Sequence, residues 1–436
     1  MSQAVVTEEG RSRQLLRRTV LGGAVGTFVE FYEFSIYAVL ATTFAAVFFP
    51  EVDPTVGLLS SLAVFAVAFF ARPLGGFVWG AVGDRVGRKR VLSFTVILMS
   101  GCTAAMGLLP GYASIGALAP FLLIVLRFLQ GFAAGGEMSG AVSFIAEHAP
   151  VNRRGFNVGM IQIGAISGAL VGSVLPGLLL IALSAESMET WGWRIPLVLA
   201  LPMGITGLWI RRRLEETPQF IALRAEHSAA HNPVAAALTG SVQRKLMWKA
   251  FWLIAVSAAS FYLMAGYLPS FAKNSLGLTG IEAFAPSVIA LSACIVVQFV
   301  GASLADRIGR KPIAMVSVGG LIVLSWPSFV MITSNSFALM ACGLIIIGAL
   351  VGGYASVTNT ILAEMFPTRV RVTGHGISYN LSVALFGGSA PYLLTWLGGI
   401  SHSNMVGAIY VTLLAAVTLG VLFTVPDMTG RPLKVD

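Results

Sequence analysis

The sequence predicts an all-α integral membrane protein, with twelve transmembrane helices arranged as two pseudo-symmetric six-helix bundles. Three observations predict it. Only 11% of the 436 residues are charged while 56% are hydrophobic. A soluble domain carries roughly 25% charged residues, so a water-soluble body of this length could not cover its surface. Apolar stretches long enough to cross a bilayer, which takes about 20 residues, recur twelve times along the chain. Finally, two acid–base loops recur at equivalent places in the two halves.

Taken in order, residues 1–19 form a polar tail bearing Arg11, Arg13, Arg17 and Arg18. Six apolar stretches follow at about 20–49, 57–80, 91–110, 119–147, 156–183 and 193–210, so the first bundle covers 20–210. The first stretch is too long for a signal-peptide core and lacks a small-residue cleavage site, so it is expected to stay in the protein. Residues 211–246 hold the longest polar interval and serve as a central cytoplasmic loop, in which Gln219 to His227 could form a short amphipathic surface helix. Six more stretches, at about 247–272, 284–305, 312–333, 338–364, 373–397 and 404–425, build the second bundle over 247–425. A cytoplasmic tail, 426–436, ends the chain. Of the 48 glycines, those at 22 and 26, 164 and 168, and 387 and 388 are placed to let helices cross closely.

Orientation follows from Lys and Arg. With the N-terminus inside, 25 of the 28 basic residues fall on the cytoplasmic side, Arg72 and the central-loop arginines counted among them. Both termini are then cytoplasmic in a multi-pass cell-membrane protein. The formal charge of +9 is thereby absorbed as membrane anchoring, and no nucleic-acid partner is implied. Trp191 and Trp193 are expected in an aromatic belt at the outer interface. Cys102, Cys294 and Cys342 all lie in apolar runs, which excludes a disulfide framework or a metal spacing.

The duplication is explicit. Gly80-Ala-Val-Gly-Asp84-Arg85-Val-Gly87-Arg88-Lys89-Arg90 joins the second and third spans, and Gly301-Ala-Ser-Leu-Ala-Asp306-Arg307-Ile-Gly309-Arg310-Lys311 joins the eighth and ninth. Glu147, Pro150 and Arg154 recur 217 residues later as Glu364, Pro367 and Arg371, and Asp84 recurs 222 later as Asp306. The Asp-Arg-x-Gly-Arg-Lys-Arg loop resembles the signature loop of the major facilitator superfamily. Together with Val29-Glu30-Phe31-Tyr32-Glu33-Phe34 and Arg127-Phe-Leu-Gln130-Gly131-Phe-Ala-Ala-Gly135-Gly136-Glu137, it resembles the metabolite–proton symporter family. Relatives there carry citrate, 2-oxoglutarate, shikimate, proline and betaine. The resemblance spans essentially the whole chain and implies the major facilitator fold. The chain departs from it twice: the usual Trp-Tyr-Asp reads Phe31-Tyr32-Glu33, and Pro312 stands where the first loop has Arg90.

Glu30, Glu33, Arg127 and Glu137 read as the charges well inside spans. Ionisable groups at membrane depth are costly and mark transport pathways. At a rise of about 1.5 Å per residue, Glu33 and Arg127 reach nearly the same level, with Glu30 and Tyr37 one helical turn either side of Glu33 and Gln130 one turn from Arg127. The alternatives for such a pair are a structural tie between the first and fourth helices or a proton-coupling switch. In the switch, an anionic substrate takes Arg127 and the carboxylate, left without its counter-charge, prefers a proton. The resemblance adds that related proton-driven facilitators carry an acid–arginine pair between these helices. Whether Glu30 or Glu33 titrates stays open. The pocket is expected to include Arg127, Gln130, Tyr37, Gln162, Tyr262, Gln298, Tyr379 and Asn380, with His375 an interface residue. A cytoplasmic gate is expected from Asp84, Arg85, Arg88, Lys89, Glu137, Glu147, Arg153, Asp306, Arg307, Arg310, Glu364 and Arg371.

The function expected from this is proton-coupled symport of a small organic acid, a di- or tricarboxylate such as 2-oxoglutarate or citrate, by alternating access. A zwitterionic osmolyte such as proline or betaine is the alternative, and a drug/proton antiporter the second. No nucleophile–base set, metal cluster or phosphate-binding loop appears, so neither an enzyme nor a nucleotide-driven pump is expected. The partners are the substrate, protons and the lipid bilayer; no cofactor is expected, and the chain is expected to be a monomer.

Overall fold

The computed structural model describes the backbone of residues 2–86, 88–212, 240–278, 281–334 and 336–433. It describes their side chains except at 2–15, 80, 81, 83–86, 88, 89, 92, 281, 283, 368 and 369. Twelve long helical regions stand among these residues: α1 (Ser2–Val39), α2 (Pro54–Val86), α3 (Arg88–Leu108), α4 (Leu118–His148), α5 (Arg154–Ala182), α6 (Arg194–Arg212), α7 (Ser241–Asn274), α8 (Ile281–Ile308), α9 (Arg310–Ile332), α10 (Phe337–Met365), α11 (Val370–Ser401) and α12 (Val406–Phe423). Ten are long and apolar enough on their own to cross a membrane. α1 continues through a 61° bend into the short helix Ala41–Phe48, and the apolar part of α3 is the shorter Ser93–Leu108. Large apolar side chains such as Val316, Val323, Leu413 and Phe423 face outward, each more than three-fifths exposed. Water would not tolerate that surface, whereas lipid tails match it.

Within the first half, α1 packs on α5, α2 on α4 and α3 on α6. In the second, α8 and α9 pack on α10, and α7 lies against α11 and α12. The halves meet where α5 lies along α8 and α2 along α11. Glycine sets the closest crossings. Gly131 and Gly135 of α4 lie directly against the carbonyls of Ala68 and Arg72 on α2, where any β-carbon would strike backbone. Gly348 and Gly352 of α10 meet the carbonyls of Ala290 and Cys294 on α8 in the same way. The offsets are again 217 and 222, so the duplication is three-dimensional and gives each residue a counterpart. Cys294 stands where the first half has Arg72, and Leu344, Ile347 and Tyr354 stand where it has Arg127, Gln130 and Glu137.

Two helices are locally rewound. α7 holds a π-turn at Leu263–Tyr267 and α11 another at Val383–Gly388. Pro269 and Pro391 follow them, and a proline ring clashes with the carbonyl four residues back, here Ala265 and Gly387. Gly266 meets Pro391 of α11 and Ala38 of α1, which joins the halves at that end.

Three placements differ from expectation. Arg72, counted as a cytoplasmic anchor, lies midway along α2 with no exposure, so it is a fifth charge inside the spans. Arg211, placed in the central loop, is buried in the last turn of α6. Trp193 is fully buried between Phe44 and Phe48, because the bend after α1 folds that short helix over it. The segment Gln219 to His227 lies outside the described residues.

Candidate functional site

α1 carries Glu30 and Glu33 inward, each fully buried. Glu33 accepts hydrogen bonds from Ser100 Oγ (2.5 Å) and Thr103 Oγ1 (2.7 Å) of α3, and from Gln130 Nε2 (3.3 Å) of α4. Arg127 does not touch it. Its Nη1 donates to Gln130 Oε1 at 2.5 Å and its Nη2 to the Phe65 carbonyl at 3.2 Å. The guanidinium lies over the Tyr37 ring, 4.2 Å from its centre, and is flanked by Phe34 and Phe65. Aromatic faces stabilise a desolvated cation, so Arg127 is held by π-faces and an amide. Gln130 is therefore the bridge between Arg127 and Glu33, and the direct ion pair expected between them is corrected to an amide-relayed network. Gln130 is long enough to intervene because it stands three residues from Arg127 on the same helical face.

The direct ion pair belongs to Glu30 and Arg72 Nη2. Arg72 Nε also donates to Asn380 Oδ1 (3.3 Å) of α11, in the other half, and Asn380 Nδ2 donates to the Gly135 carbonyl at 2.6 Å. Among the described residues, Glu30 Oε2 and Arg72 Nη1 have no hydrogen-bond partner. Glu137 pairs with Arg211 inside the first half, so it does not bridge the halves as a gate residue would.

A cavity opens between the halves beside this cluster. Phe31, Gln162, Ser257, Phe261, Tyr262, Thr358, Asn359 and Tyr379 supply its polar and aromatic lining, and among the described residues no charged one lines it. Asn359 Nδ2 of α10 donates to Gln162 Oε1 of α5 at 3.0 Å, which ties the halves together across it. Of the expected pocket residues, Gln162, Tyr262 and Tyr379 meet here, and Asn380 stands next to them on Arg72. Arg127, Gln130 and Tyr37 form the separate network around Glu33. Gln298 is buried on α8 away from the cavity lining, with both amide atoms unpartnered. His375 is buried in α11, edge-on to Tyr379 one turn along the same helix. Sequence reasoning missed Arg72 and Asn359, although each interrupts an apolar run, and missed Phe31 and Phe261, which carry no signal in a chain with 27 phenylalanines.

At the end of the bundle that carries the acid–base loops, charges cross between halves. Arg154 bonds the Ala146 carbonyl (3.3 Å) of its own half and Glu364 (3.0 Å) of the other. Its counterpart Arg371 bonds the Ala363 carbonyl (2.8 Å) and crosses back to Glu147 (2.7 Å). Asp306 accepts from the backbone N–H groups of Gly155 (2.8 Å) and Phe156 (2.9 Å), where the dipole of α5 favours an anion. Arg310 completes the layer against Asp306 (2.9 Å) and Glu364 (3.3 Å). Arg153 and Arg307 point out to solvent. The side chains of Asp84, Arg85, Arg88 and Lys89 lie outside the described residues.

Helices that cross a membrane twelve times, in two like halves meeting around one cavity, define a transporter and not an enzyme. The Major Facilitator Superfamily profile matches residues 23–391, and the chain belongs to that superfamily, as a member of the metabolite–proton symporter type. It is 33% identical over 433 residues to the proline/betaine transporter of Escherichia coli K12, covering 96% of this chain and 85% of that one. It is 35% identical over 433 residues to the ectoine/proline transporter ProP of Corynebacterium glutamicum, with the same coverage. The proton:xylose symporter XylE, solved with 6-bromo-6-deoxy-D-glucose, shares the fold with a TM-score of 0.79 at 18% identity, over 97% of this chain and 98% of that one. The relatives overturn the expectation of a di- or tricarboxylate substrate, for they are named for proline, betaine and ectoine. Of α11, Tyr379 and the apolar Val383 line the cavity, and neither is a cation that would select an anion.

Proposed function

We propose that the protein is a proton-coupled symporter that takes up a zwitterionic osmolyte of the proline or betaine kind by alternating access of its two halves. One observation carries this reading: the cavity lining is neutral, with four aromatic rings, an amide pair and the aliphatic hydroxyls of Ser257 and Thr358. A di- or tricarboxylate would bring two or three negative charges against this uncharged lining, of which the adjoining Arg72 could meet only one, at a cost of several kcal/mol for each ion left unpaired. A zwitterion brings no net charge. Its ammonium suits the faces of Phe31, Phe261, Tyr262 and Tyr379. The names of the relatives support the same choice.

In this proposal both termini lie in the cytoplasm, the bundles cover 20–210 and 247–425, and the crossed layer of Glu147, Arg154, Asp306, Arg310, Glu364 and Arg371 is the cytoplasmic gate. Glu30 and Glu33 are the candidate proton carriers. Uptake of labelled proline and glycine betaine into proteoliposomes, with and without an inward proton gradient and with citrate as competitor, tests it. Gradient-driven accumulation of either zwitterion, unaffected by citrate, is the expected result. Accumulation of citrate, or uptake indifferent to the gradient, would overturn it.

A further inference from the structure

We propose that Arg72 holds the carboxylate of the substrate, and that this carboxylate and Glu30 compete for the same guanidinium. The inference rests on the zwitterion–proton reading above and assigns the atoms of its coupling step.

Three features of Arg72 point to it. It is fully buried midway along α2, yet it spends only Nη2 on Glu30 and Nε on Asn380, and Nη1 is unpartnered. A buried guanidinium N–H without an acceptor is costly, and a carboxylate with two acceptor oxygens matches its fork. Second, it adjoins the cavity. Tyr262 and Tyr379, both in the lining, lie within electrostatic reach of it, and the Tyr262 ring packs on Phe69, which also flanks Arg72. Third, the other described cations near Glu30 are held by more neighbours, although Arg127 Nε is likewise unpartnered. Arg127 is enclosed by Tyr37, Phe34 and Phe65, and Arg211 is paired with Glu137.

The exchange balances. In the state described here Arg72 and Glu30 form a neutral pair. When the substrate carboxylate takes Arg72, Glu30 becomes a buried anion without a counter-ion. It then accepts one proton from the aqueous side onto a carboxyl oxygen. Release runs in reverse: Glu30 gives up the proton and recovers Arg72 as the substrate leaves. By linkage, substrate raises the proton affinity of Glu30 as much as the proton raises affinity for substrate, so binding strengthens as pH falls. The charged groups around Glu30 are Arg72 of α2, Glu137 of α4 and Arg211 of α6. Tyr262 and Tyr379 are the titratable groups that α7 and α11 bring to the pair. Since Asn380 belongs to the second half, its bond to Arg72 Nε carries the exchange across to the half that must move.

Binding of proline and glycine betaine to purified full-length protein, measured by calorimetry between pH 5.5 and 8.5, tests the assignment. Glu30→Gln imitates the protonated acid and should bind both substrates with an affinity independent of pH. The double variant Arg72→Gln/Glu30→Gln removes both charges, so it leaves neither buried alone. It should melt as a cooperative folded protein and bind at least 100-fold more weakly than Glu30→Gln. A double variant that binds as tightly as Glu30→Gln would overturn the role of Arg72. A Glu30→Gln protein whose affinity still follows pH would overturn the exchange and move the proton to Glu33. Failure of the unaltered protein to bind either zwitterion would overturn the substrate reading itself, and this proposal with it.

Discussion

Arg154 and Arg371, 217 residues apart in the chain, perform one task twice and in opposite directions. Each bonds the carbonyl eight residues before it in its own half, Ala146 and Ala363, and each reaches the glutamate that precedes its counterpart, Glu364 and Glu147. The layer is thus a crossed exchange, and neither half can tilt away without breaking both pairs.

That exchange makes a directional prediction. Glu364→Gln weakens the contacts of both Arg154 and Arg310, and should shift the population toward the state open on the side of the acid–base loops. A cysteine at Thr358, in the cavity lining, should then react several-fold faster with a membrane-impermeant thiol reagent applied from that side. An unchanged rate would mean that the layer does not hold the bundle shut.

Glu33 sits among neutral donors and is the second candidate proton carrier beside Glu30. Glu33→Gln puts an amide N–H₂ among Ser100, Thr103 and Gln130 and costs at least one hydrogen bond, about 1–3 kcal/mol. Accumulation against a gradient should drop tenfold or more, while substrate exchange at equal pH survives. Loss of both in parallel would make Glu33 a structural residue.

Arg127 is the residue for which the sequence and the structure make opposite predictions. Read from the sequence, Arg127→Ala should abolish binding of an anionic substrate. In the structure the guanidinium is enclosed by aromatic rings, so Arg127→Lys, which keeps the charge, should leave proline affinity within about threefold while lowering thermal stability. The stability loss follows from the stacked, forked geometry that lysine cannot reproduce. A tenfold or larger loss of affinity in a folded protein would return Arg127 to the pocket.

The Gln162–Asn359 bond should carry selectivity. Asn359→Ala leaves Gln162 without its partner and removes an amide from the cavity wall. A substrate with N–H groups can use that amide and a fully methylated ammonium cannot. Proline affinity should therefore fall roughly tenfold, or ~1.4 kcal/mol, against a smaller change for glycine betaine. Equal losses for both would limit the pair to holding the halves together.

The glycine crossings predict equal effects in the two halves. Gly131→Ala and Gly348→Ala each drive a methyl into a backbone carbonyl, of Ala68 and of Ala290. Overpacking of this kind costs about 1–3 kcal/mol, and both variants should melt at lower temperature in detergent by similar amounts. A silent variant would mean that the helices can separate there without loss.

The class of the protein was legible from its residues because the bilayer acts on the chain locally. Each span must be apolar over about 20 residues whatever it packs against, so the twelve helices, the two bundles and the duplicated Asp-Arg loops could be read without coordinates. Glu30, Glu33 and Arg127 stood out for the same reason. Pairing was not legible, for it depends on which helix faces meet and on side-chain reach. Arg72 is the clearest case. As one more arginine ahead of a basic loop it reads as an anchor, and only the packing of α2 against α1, α4 and α11 brings it to Glu30 and across to Asn380. Substrate polarity was undecided likewise, since the cavity lining is neutral only because five helices turn uncharged residues toward one another. Sequence alone determined that charge is scarce and where it sits along each helix. Tertiary structure decided which charges cancel, because in a medium without water a charge is held by whatever neighbour the packing supplies.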